Sequence, residues 1–425
     1  MKNWAGNIAY RARRMEEPRS VAQVQELVRA ATSIRALGSR HAFNDLADTT
    51  GILLSTAGLP RRIEIDQAAS TVTVDGALRY GDLCGPLDAA GLALHNLASL
   101  PHISIAGACA TATHGSGDRL GTLSTAVIRI DLVQADGELV SVERPPQSRG
   151  IDGFEGVVVA LGALGVVTRL TLTVEPSYTM RQDVFDQLPI DAFIEHFDEI
   201  ASAGDSVSFF TSWGDGAIDQ VWVKRRARVE SAGRQLDDLY GASLAPSPRH
   251  PIPGLSPAAC TEQLGKTGPW QDRLPHFRMD HTPSSGAELQ SEYFVGRPDA
   301  VPAFVALERL RDRVAPLVQV SEIRTVAADD LWLSPAYRRP SVTFHFTWKP
   351  DWPAVRELLP VIESALAPFQ PRPHWAKLFT MPAEAVRAGY ERLPAFVDLA
   401  RRHDPDGKFA NDYLKRMIFG TGRST

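Results

Sequence analysis

The order of strand-like and helix-like segments between residues 290 and 381 restricts the possible folds of this chain more than any other feature. Runs rich in β-branched and aromatic residues alternate there with longer runs of helical periodicity. In order they are QSEYFV, VPAFVALERLRDRVA, VQVSEIRTVA, PSVTFHFTW, WPAVRELLPVIESALAPF and HWAKLFTM. This split β-α-β-β-α-β arrangement predicts an antiparallel sheet with both helices on one face. The other face is free to cover another part of the molecule.

The segments before this unit belong to the same region, which begins near Arg181. FIEHFDEIASAG predicts a helix, and VSFFTSW and QVWVKRRARV predict strands. The Pro-rich stretch LAPSPRHPIPGLSP predicts a surface connection. After the split unit, FVDLARRH predicts a helix and DPDGKF a turn.

The first 180 residues predict a different mixture of elements. Ser20 can cap a helix that begins at Val21, and IRALG, GILLST, RRIEID and TVTVDGAL predict strands. VIRIDLVQADGELVSVE predicts a hairpin because an Asp-Gly pair separates two alternating runs. GVVTRLTLTVEP adds a strand. The half is α+β, without the regular β-α-β alternation of a doubly wound sheet.

Polar residues share one face of two consecutive predicted strands. Glu322 and Arg324 are two residues apart, as are His345 and Thr347, so each pair points to one side of its strand. If the strands pair, an acid, a guanidinium, an imidazole and a hydroxyl collect on one surface, and Lys377 adds a cation from the adjoining segment. Such a group could bind the hydroxyls of a polyol and help remove a proton. An ordinary solvated sheet face is the alternative.

Three Gly- and Ser-rich turns follow strands in the first half, at Gly38–His41, Ser99–Gly117 and Leu161–Val167. Such turns can direct several backbone N–H groups at an anion, which suggests a phosphate-bearing ligand. Tight turns of a β-rich domain are the alternative, and His41 on this evidence is compatible with an ordinary turn histidine. Motifs typical of ATPases, zinc proteases and α/β-hydrolases are absent.

Composition excludes several classes of protein. A formal charge of -5 without long basic runs gives no support to a nucleic-acid or membrane-surface partner. The three cysteines lack a CxxC pair, and the histidines lack the spacing of metal ligands, so no metal is expected. The N-terminus has no signal-peptide core, and no stretch is long enough to span a bilayer. The lack of a disulfide framework fits a reducing setting, so we expect a cytoplasmic protein. We separately expect a monomer.

Several motifs resemble the alditol (xylitol) oxidases of the vanillyl-alcohol oxidase flavoprotein superfamily. They are LGSRHAFND, NLASLPHISIAGACATATHGSG, LGALGVVTRLTL, HFRMDHTPSSGAELQSEYF, SEIRTVAADDLWLSP, HFTW, RPHWAK and DPDGKFANDYL. The resemblance implies a PCMH-type FAD-binding domain in two parts, residues 1–180 and 373–425. A substrate-binding cap domain, residues 181–372, carries the ferredoxin-like antiparallel sheet between them.

The resemblance also implies roles for individual residues. His41 matches the histidine that is bonded covalently to FAD. The other FAD-binding positions are Gly38, Ser39, Arg40, Ala42, Phe43, Ser99, Ser104, Gly107, Thr111, Ala112, Thr113, His114, Val167 and His374. Substrate-contacting positions are Ser99, Glu322, Arg324, Thr347 and Lys377, with His345 beside them. Glu322 and Arg324 are expected to hold substrate hydroxyls, while Lys377 and His345 assist deprotonation.

The turn around His41 departs from the related pattern Gly-Ser-Gly-His-Ser. Arg40 replaces the second glycine and needs a permissive φ, and Ala42 lacks the hydroxyl of the serine. The resemblance implies an FAD-dependent oxidase that converts the terminal primary alcohol of a polyol to an aldose and reduces O2 to H2O2. An aldonolactone (gulonolactone-type) oxidase or dehydrogenase is the alternative enzyme, and a flavin- or polyol-binding protein without turnover is the alternative outside enzymes.

Overall fold

The computed structural model describes residues 1–145, 153–214, 216–227, 238–281 and 288–420. The last two residues of the predicted strand QVWVKRRARV, 228–229, lie outside these ranges, as do residues 282–287 of the HFRMDHTPSSGAELQSEYF motif. Helix and strand are both abundant, and the antiparallel pairing of most strands confirms the predicted α+β class.

The strands of the first half lie between residues 14 and 176. They are β1 (Arg14–Glu16), β2 (Ile34–Leu37), β3 (Ile52–Ser55), β4 (Ile63–Asp66), β5 (Thr71–Asp75), β6 (Leu92–Ala93), β7 (Val127–Val133), β8 (Leu139–Glu143), β9 (Val166–Thr173) and β10 (Glu175–Pro176).

The strands of the second half form most of one large sheet. They are β11 (Thr179–Pro189), β12 (Ser206–Thr211), β13 (Ala217–Arg226), β14 (Ser243–Leu244), β15 (Gly268–Pro269), β16 (Leu289–Gly296), β17 (Val318–Val326), β18 (Ser341–Trp348) and β19 (Arg372–Pro373).

The α-helices are distributed over both halves. They are α1 (Val21–Ala30), α2 (Tyr80–Ala89), α3 (Ile105–Ala110), α4 (Phe154–Val158), α5 (Ile190–Ala201), α6 (Ala300–Glu308), α7 (Arg311–Val314), α8 (Trp352–Leu366), α9 (Ala383–Ala388), α10 (Leu393–His403) and α11 (Asp412–Leu414). None of those in the described part of the chain combines the length and apolar composition that a bilayer span requires.

The described residues of the first half form three small sheets, of which one is the antiparallel pair β6–β10 and the other two contain the predicted strands. In one, β1 and β2 each pair in parallel with β3; in the other the strand order is β4-β5-β9-β7-β8. Ser20 caps α1 by accepting from the backbone N–H of Gln23. The hairpin β7–β8 forms as predicted, with Gly137 at a φ of 82° in its turn. Helices α2, α3 and α4 were not predicted.

The large sheet confirms the predicted split arrangement. Its strand order is β14-β11-β13-β12-β17-β18-β16-β19, and β15 pairs with β11. Within it, β19-β16-β18-β17 is the fourth-first-third-second order of the β-α-β-β-α-β unit. Helices α5, α6 and α8 supply buried apolar residues to the same core as one face of this sheet, including Phe193, Phe304 and Leu359.

The segment HWAKLFTM does not form the predicted strand. Only Arg372 and Pro373 pair as strand β19, and residues 374–381 are irregular. Two backbone bonds still connect this segment to β16, from His374 N–H to the carbonyl of Glu292 and from Leu378 N–H to that of Gln290. Between them the chain forms a turn, because the N–H of Lys377 donates to the carbonyl of His374 at 3.0 Å.

Two other expectations need correction. The helix predicted over VPAFVALERLRDRVA is divided into α6 and α7. The Pro-rich stretch is not only a surface connection, since His250, Pro251, Ile252 and Leu255 line the main cavity described below.

One apolar core joins the beginning and the end of the chain. It includes residues from β5 to β9 together with Trp375, Phe396 and Leu414. The same core also contains Trp270, Leu274 and Leu333, which lie between residues 181 and 372. The domain boundaries at residues 180 and 372 therefore stay predictions.

Arg35 joins segments that are far apart in sequence. Its side chain is 3% exposed, and the guanidinium donates to the carbonyls of Leu46 at 2.7 Å, Leu161 at 2.8 Å, Gly162 at 2.9 Å and Phe409 at 3.0 Å. Because it lies on β2, immediately before the turn that carries His41, it fixes that turn against the Leu161–Val167 turn and the C-terminal segment.

Candidate active site

A single cavity of about 510 Å³ brings the predicted site residues together. One wall, which we call the turn wall, comes from the three Gly- and Ser-rich turns. The opposite wall, the sheet wall, comes from the face of the large sheet that is not covered by helices. The volume is within the ordinary range of small-molecule and cofactor sites. The predicted residues Gly38–Phe43, Ser99, Ser104, Gly107, Thr111, Thr113, His114, Val167, Glu322, Arg324, His345, Thr347, His374 and Lys377 all line it.

Ala112 is the predicted FAD-binding residue that lies outside the lining. It is fully buried and has a φ of 55°, which turns the chain between Thr111 and Thr113. Its place in the turn gives it a part in shaping the wall through the backbone. A direct contact of Ala112 with FAD therefore stays a prediction.

The turn wall is held by a pair of serines. The N–H of Ser104 donates to Oγ of Ser39 at 3.0 Å, and the N–H of Ser39 donates to Oγ of Ser104 at 3.3 Å. Gly38 and Gly107 lie against the same hydroxyl: a Cβ on Gly107 would be 2.7 Å from Oγ of Ser104, and one on Gly38 would collide with it. Both glycines are therefore needed for this close approach.

His41 lies at the centre of the turn wall and stacks on Trp4, with ring centroids 5.1 Å apart. Burial lowers its pKa to about 4, so the imidazole is neutral at physiological pH. Within the described residues its Nδ1 is buried without a hydrogen-bond partner. A neutral imidazole with a nitrogen that the protein does not use is suited to bond formation with an electrophilic group.

Arg40 shows how the turn accommodates a residue bulkier than glycine. Its φ is 64°, in the left-handed region where side chains other than Gly, Asn and Asp are uncommon. Its carbonyl accepts from the N–H of Trp4 at 2.9 Å, which ties the N-terminus to the turn. The carbonyl of Ala42 accepts from Nδ2 of Asn3 at 2.9 Å, so backbone contacts hold this position without the serine hydroxyl.

The sheet wall places a row of side chains side by side across four strands. Phe210 on β12 is opposite Glu322 on β17, Glu322 is opposite His345 on β18, and His345 is opposite Glu292 on β16. Paired residues in a sheet project to the same face. The predicted pairing of the Glu322 and His345 strands is thus confirmed, and the face is buried instead of solvated: Glu322 is 4% exposed and His345 8%.

Glu292 is the centre of a buried charge network. Its Oε1 lies 2.6 Å from Nη2 of Arg324 and 3.2 Å from Nε2 of His114, and its Oε2 lies 2.7 Å from Nζ of Lys377. Burial opposes ionisation, but the charges of Lys377 and Arg324 outweigh it and hold the pKa of Glu292 well below its usual value. The side chain is 1% exposed, so these charges compensate one another away from bulk water.

Glu322 has a different set of neighbours. Nε2 of His276 donates to its Oε1 at 2.7 Å, and Arg324 Nε and His345 Nδ1 lie 3.6 and 3.9 Å from its Oε2. Burial again opposes ionisation, and Arg324 and His276 hold the pKa of Glu322 well below its usual value. Two carboxylates therefore face the cavity as anions, one on either side of His345.

His345 and Lys377 differ in their protonation. Burial, together with the charge of Lys377, holds the pKa of His345 well below its usual value, so the ring is neutral. Burial also lowers the pKa of Lys377, but the 2.7 Å contact with Glu292 favours its charged form. The pair thus combines a neutral imidazole with an ammonium that is already bound to a carboxylate.

The irregular segment after β19 positions Lys377 by binding to the His41 turn. The N–H of Phe43 donates to the carbonyl of Ala376 at 2.7 Å, and Nδ2 of Asn44 donates to the carbonyls of Trp375 at 2.8 Å and Lys377 at 2.9 Å. These contacts use carbonyl groups of residues 375–377. The two walls of the cavity are therefore connected through this segment.

The remaining predicted positions lie between the two walls. His114 and His374 have ring centroids 6.2 Å apart, and Nδ1 of His114 donates to the carbonyl of Gly115 at 2.8 Å. Thr347 lies on β18 two residues from His345. The carbonyl of Ser99 accepts from the backbone N–H groups of His276 and Phe277, both at 3.2 Å.

Sequence reasoning missed Glu292, His276 and Lys224, which complete the charge network. Glu292 had a detectable signal, because Gln290 and Glu292 alternate on the first strand of the split unit in the same way as Glu322 and Arg324 on the second. His276 lies in an irregular segment, and no periodicity of the sequence identified it. Lys224 lies on β13, where a lysine suggests a solvated position, yet it is 1% exposed.

The contacts within the turn wall are compatible with FAD binding. The close contacts around Gly38 and Gly107 bring backbone groups to the cavity surface, and His41 has an unused ring nitrogen. Gly38–Phe43, Ser104, Gly107, Thr111, Thr113 and Val167 would hold the cofactor. FAD held there would supply redox chemistry that no side chain provides.

Comparisons with known proteins agree with this arrangement. Residues 13–143 match the model of an FAD binding domain, and residues 288–417 match that of D-arabinono-1,4-lactone oxidase. An alditol oxidase from Streptomyces sp. is 46% identical over 98% of this chain and 99% of its own. An L-gulono-1,4-lactone dehydrogenase from Mycobacterium tuberculosis is 28% identical, and an L-gulonolactone oxidase from Mus musculus 23% identical, each over 98% of both chains.

A solved structure shows the same fold at low sequence identity. A cholesterol oxidase from B. sterolicum superposes with a TM-score of 0.79 over 98% of this chain and 96% of its own, at 15% identity. That likeness establishes the fold, while the 46% identity to the alditol oxidase over nearly the whole chain establishes the family. The chain belongs to the alditol oxidase family of FAD-dependent oxidoreductases.

Proposed function

We propose that the protein oxidises the terminal primary alcohol of an alditol, such as xylitol or sorbitol, to the aldose and reduces O2 to H2O2. The observation that carries the proposal is the sheet wall, where two buried carboxylates, a guanidinium, an ammonium and a neutral imidazole face the same cavity as the FAD-binding turns. Such a wall is suited to a small uncharged substrate with many hydroxyl groups.

The charged side chains would bind and orient the substrate. Glu322 and Arg324 hold hydroxyls, the carboxylate as acceptor and the guanidinium as donor, and Thr347 and Ser99 add neutral contacts. Each charged group already has protein partners on one side, so its orientation is set before the substrate enters. This preorganisation keeps the alcohol carbon directed at the turn wall.

Proton removal would use His345 and Lys377. The hydroxyl proton moves to the neutral ring of His345, while the ammonium of Lys377 stabilises the developing alkoxide. Lys377 is the poorer acceptor because its proton is shared with Glu292 at 2.7 Å. When bound, FAD would supply the hydride acceptor for the alcohol carbon and the redox link to O2.

We further propose that FAD is attached covalently through His41. The neutral imidazole and its unused nitrogen support the attachment, and Arg40 supports it by adopting the positive φ that the turn requires. The domain boundaries at residues 180 and 372, a monomeric state and a cytoplasmic location belong to the same proposal.

A lactone-oxidising activity is the second candidate. The match of residues 288–417 to D-arabinono-1,4-lactone oxidase favours it, because this range contains the sheet-wall residues Glu292, Glu322, Arg324, His345 and Lys377. A lactone presents a ring and fewer free hydroxyls than an open-chain alditol. The two candidates therefore predict different substrates for the same wall.

One experiment tests both candidates. The purified yellow protein is mixed anaerobically with xylitol or with a gulonolactone, and the visible flavin absorbance is followed. We expect xylitol to bleach the flavin and air to restore the colour with formation of H2O2. Glu322→Ala should lower kcat/KM for xylitol at least about tenfold, because a hydrogen bond to a charged group contributes about 1.5–3 kcal/mol. Bleaching by the lactone alone would favour the second candidate.

A further inference from the structure

Behind the sheet wall lies a second layer of polar side chains that does not line the cavity. Lys224, on β13, is 1% exposed and is separated from the substrate-facing carboxylate Glu322 by the ring of His276. His276 lines the cavity, whereas Lys224 does not. A lysine buried to this degree is unusual and carries a desolvation cost, so its contacts indicate what it does.

Within the described residues, Nζ of Lys224 has three acceptors. It donates to the carbonyl of Leu274 at 2.5 Å, to the carbonyl of Pro275 at 3.0 Å and to Nδ1 of His276 at 3.0 Å. Burial lowers the pKa of Lys224 to about 7, but the carboxylate of Glu322 beside the ring can only accept, so Nδ1 of the neutral ring must carry a lone pair. The ring proton is then on Nε2, which is the nitrogen that contacts Glu322 Oε1 at 2.7 Å.

The surroundings keep the ring of His276 in this position. Phe210 and Trp222 contact it edge-on, with centroids 5.4 and 5.2 Å away. Thr261 holds the backbone of the same residue, since its N–H donates to the carbonyl of His276 at 2.9 Å. Within the described residues these contacts hold the plane of the ring, and the tautomer then decides which of its nitrogens donates.

We propose that Lys224 is a positioning residue, which fixes the Nε2–H tautomer of His276 and thereby holds the carboxylate of Glu322 in its substrate-binding orientation. With the other tautomer, an unprotonated Nε2 would face the carboxylate and repel it. Burial, and next the charge of Lys224, lower the pKa of His276 to about 4, which excludes a doubly protonated ring at neutral pH. The effect on catalysis rests on the proposed alditol oxidation, whereas the tautomer itself does not.

The tautomer can be measured without any turnover. In the intact holoenzyme labelled with 15N-histidine, ring spectra should show His276 with a protonated Nε2 and an unprotonated Nδ1, assigned by comparison with His276→Gln. Lys224→Met should shift this population towards protonated Nδ1. A wild-type ring protonated at Nδ1 would overturn the proposal whether or not the enzyme oxidises alditols.

The kinetic arm uses a substitution that does not depend on a tautomer. Glutamine at position 276 has a fixed amide donor for Glu322 and a fixed carbonyl acceptor for Lys224. We expect Lys224→Met to raise KM for xylitol about tenfold or more with a smaller change in kcat, as for the loss of a charged hydrogen bond. In the His276→Gln background the same substitution should change KM by less than about threefold.

The control is Lys349→Met, which removes an exposed lysine that donates to the carbonyl of Pro316 at 2.7 Å. It should leave KM and kcat unchanged. An equal rise of KM on Lys224→Met in both backgrounds would show that Lys224 only supports the carbonyls of Leu274 and Pro275. If Lys224→Met fails to fold, the ring spectra of the wild type alone decide. A wild-type enzyme that xylitol cannot reduce would refute the proposed function instead.

Discussion

The two walls of the cavity are stabilised by different kinds of interaction. The turn wall holds its shape with backbone bonds, the reciprocal serines and glycines, and its central histidine is neutral. The sheet wall holds its shape with buried charges, among which the carboxylate of Glu292 contacts the cations of Arg324 and Lys377. One wall is suited to an extended cofactor and the other to a small polar substrate. A change in charge should therefore be far more costly in the sheet wall than in the turn wall.

The largest expected effect concerns the turn wall. His41→Ala should abolish covalent attachment, so that the acid-precipitated protein is colourless while wild-type protein stays yellow. His102→Ala, which changes a histidine of the neighbouring Ser99–Gly117 run, is the matched control and should retain acid-stable flavin. Acid-stable colour in His41→Ala would place the attachment at another residue.

The next largest effect concerns proton removal at the sheet wall. His345→Ala should lower kcat for xylitol by about 10²–10⁴, the usual contribution of a positioned acid or base. The measurement is anaerobic flavin reduction by stopped flow, which isolates the oxidation of the substrate from the reaction with O2. Lys377→Met in the same assay separates the two groups: a larger loss there than in His345→Ala would assign the proton acceptor to Lys377.

Glu292→Gln in the sheet wall and Ser39→Ala in the turn wall compare how much each wall contributes to the free energy of unfolding. The first leaves Arg324 and Lys377 without their carboxylate, and breaking a buried ion pair by removing one partner costs about 3–5 kcal/mol. Ser39→Ala removes the bond from the N–H of Ser104 and should cost only about 1 kcal/mol. Denaturant unfolding measures both. Equal losses would contradict the contrast between the walls.

The smallest effect is the pH dependence that comes from the turn wall. The pKa of His41 is about 4 in the folded chain and near 6.5 when unfolded, so between these values the unfolded state binds more protons. The stability of flavin-free protein should therefore fall as the pH decreases from about 6.5 to 4. In His41→Gln this contribution to the slope should disappear, as measured by chemical unfolding across that range.

The sequence predicted the regular part of the sheet wall because side-chain alternation depends only on neighbouring residues. Glu322, Arg324, His345 and Thr347 were found in this way, and their pairing follows from the split unit. Glu292 obeys the same rule and could have been found. His276 and Lys224 could not, because their roles depend on a contact between an irregular segment and a strand about 50 residues earlier.

The segment 374–381 does not form the predicted strand, for a related reason. Its alternation is genuine, but the carbonyls of residues 375–377 bind Phe43 and Asn44, which lie more than 300 residues earlier. Local propensity competes with such tertiary contacts and is often the weaker influence. For the turn wall, the small residues indicated a ligand-binding turn, whereas the role of His41 came only from the resemblance to a family.

The contacts of Arg35 set an order of events during synthesis. Its guanidinium bonds to the carbonyl of Phe409, and the N–H of its neighbour Ile34 donates to the carbonyl of Lys408 at 3.0 Å. At typical translation rates, residue 409 follows residue 35 by on the order of tens of seconds. During this interval the segment around His41 lacks the C-terminal residues that cover part of its core. The chain can therefore acquire its cofactor in the final arrangement only after nearly all of it has left the ribosome.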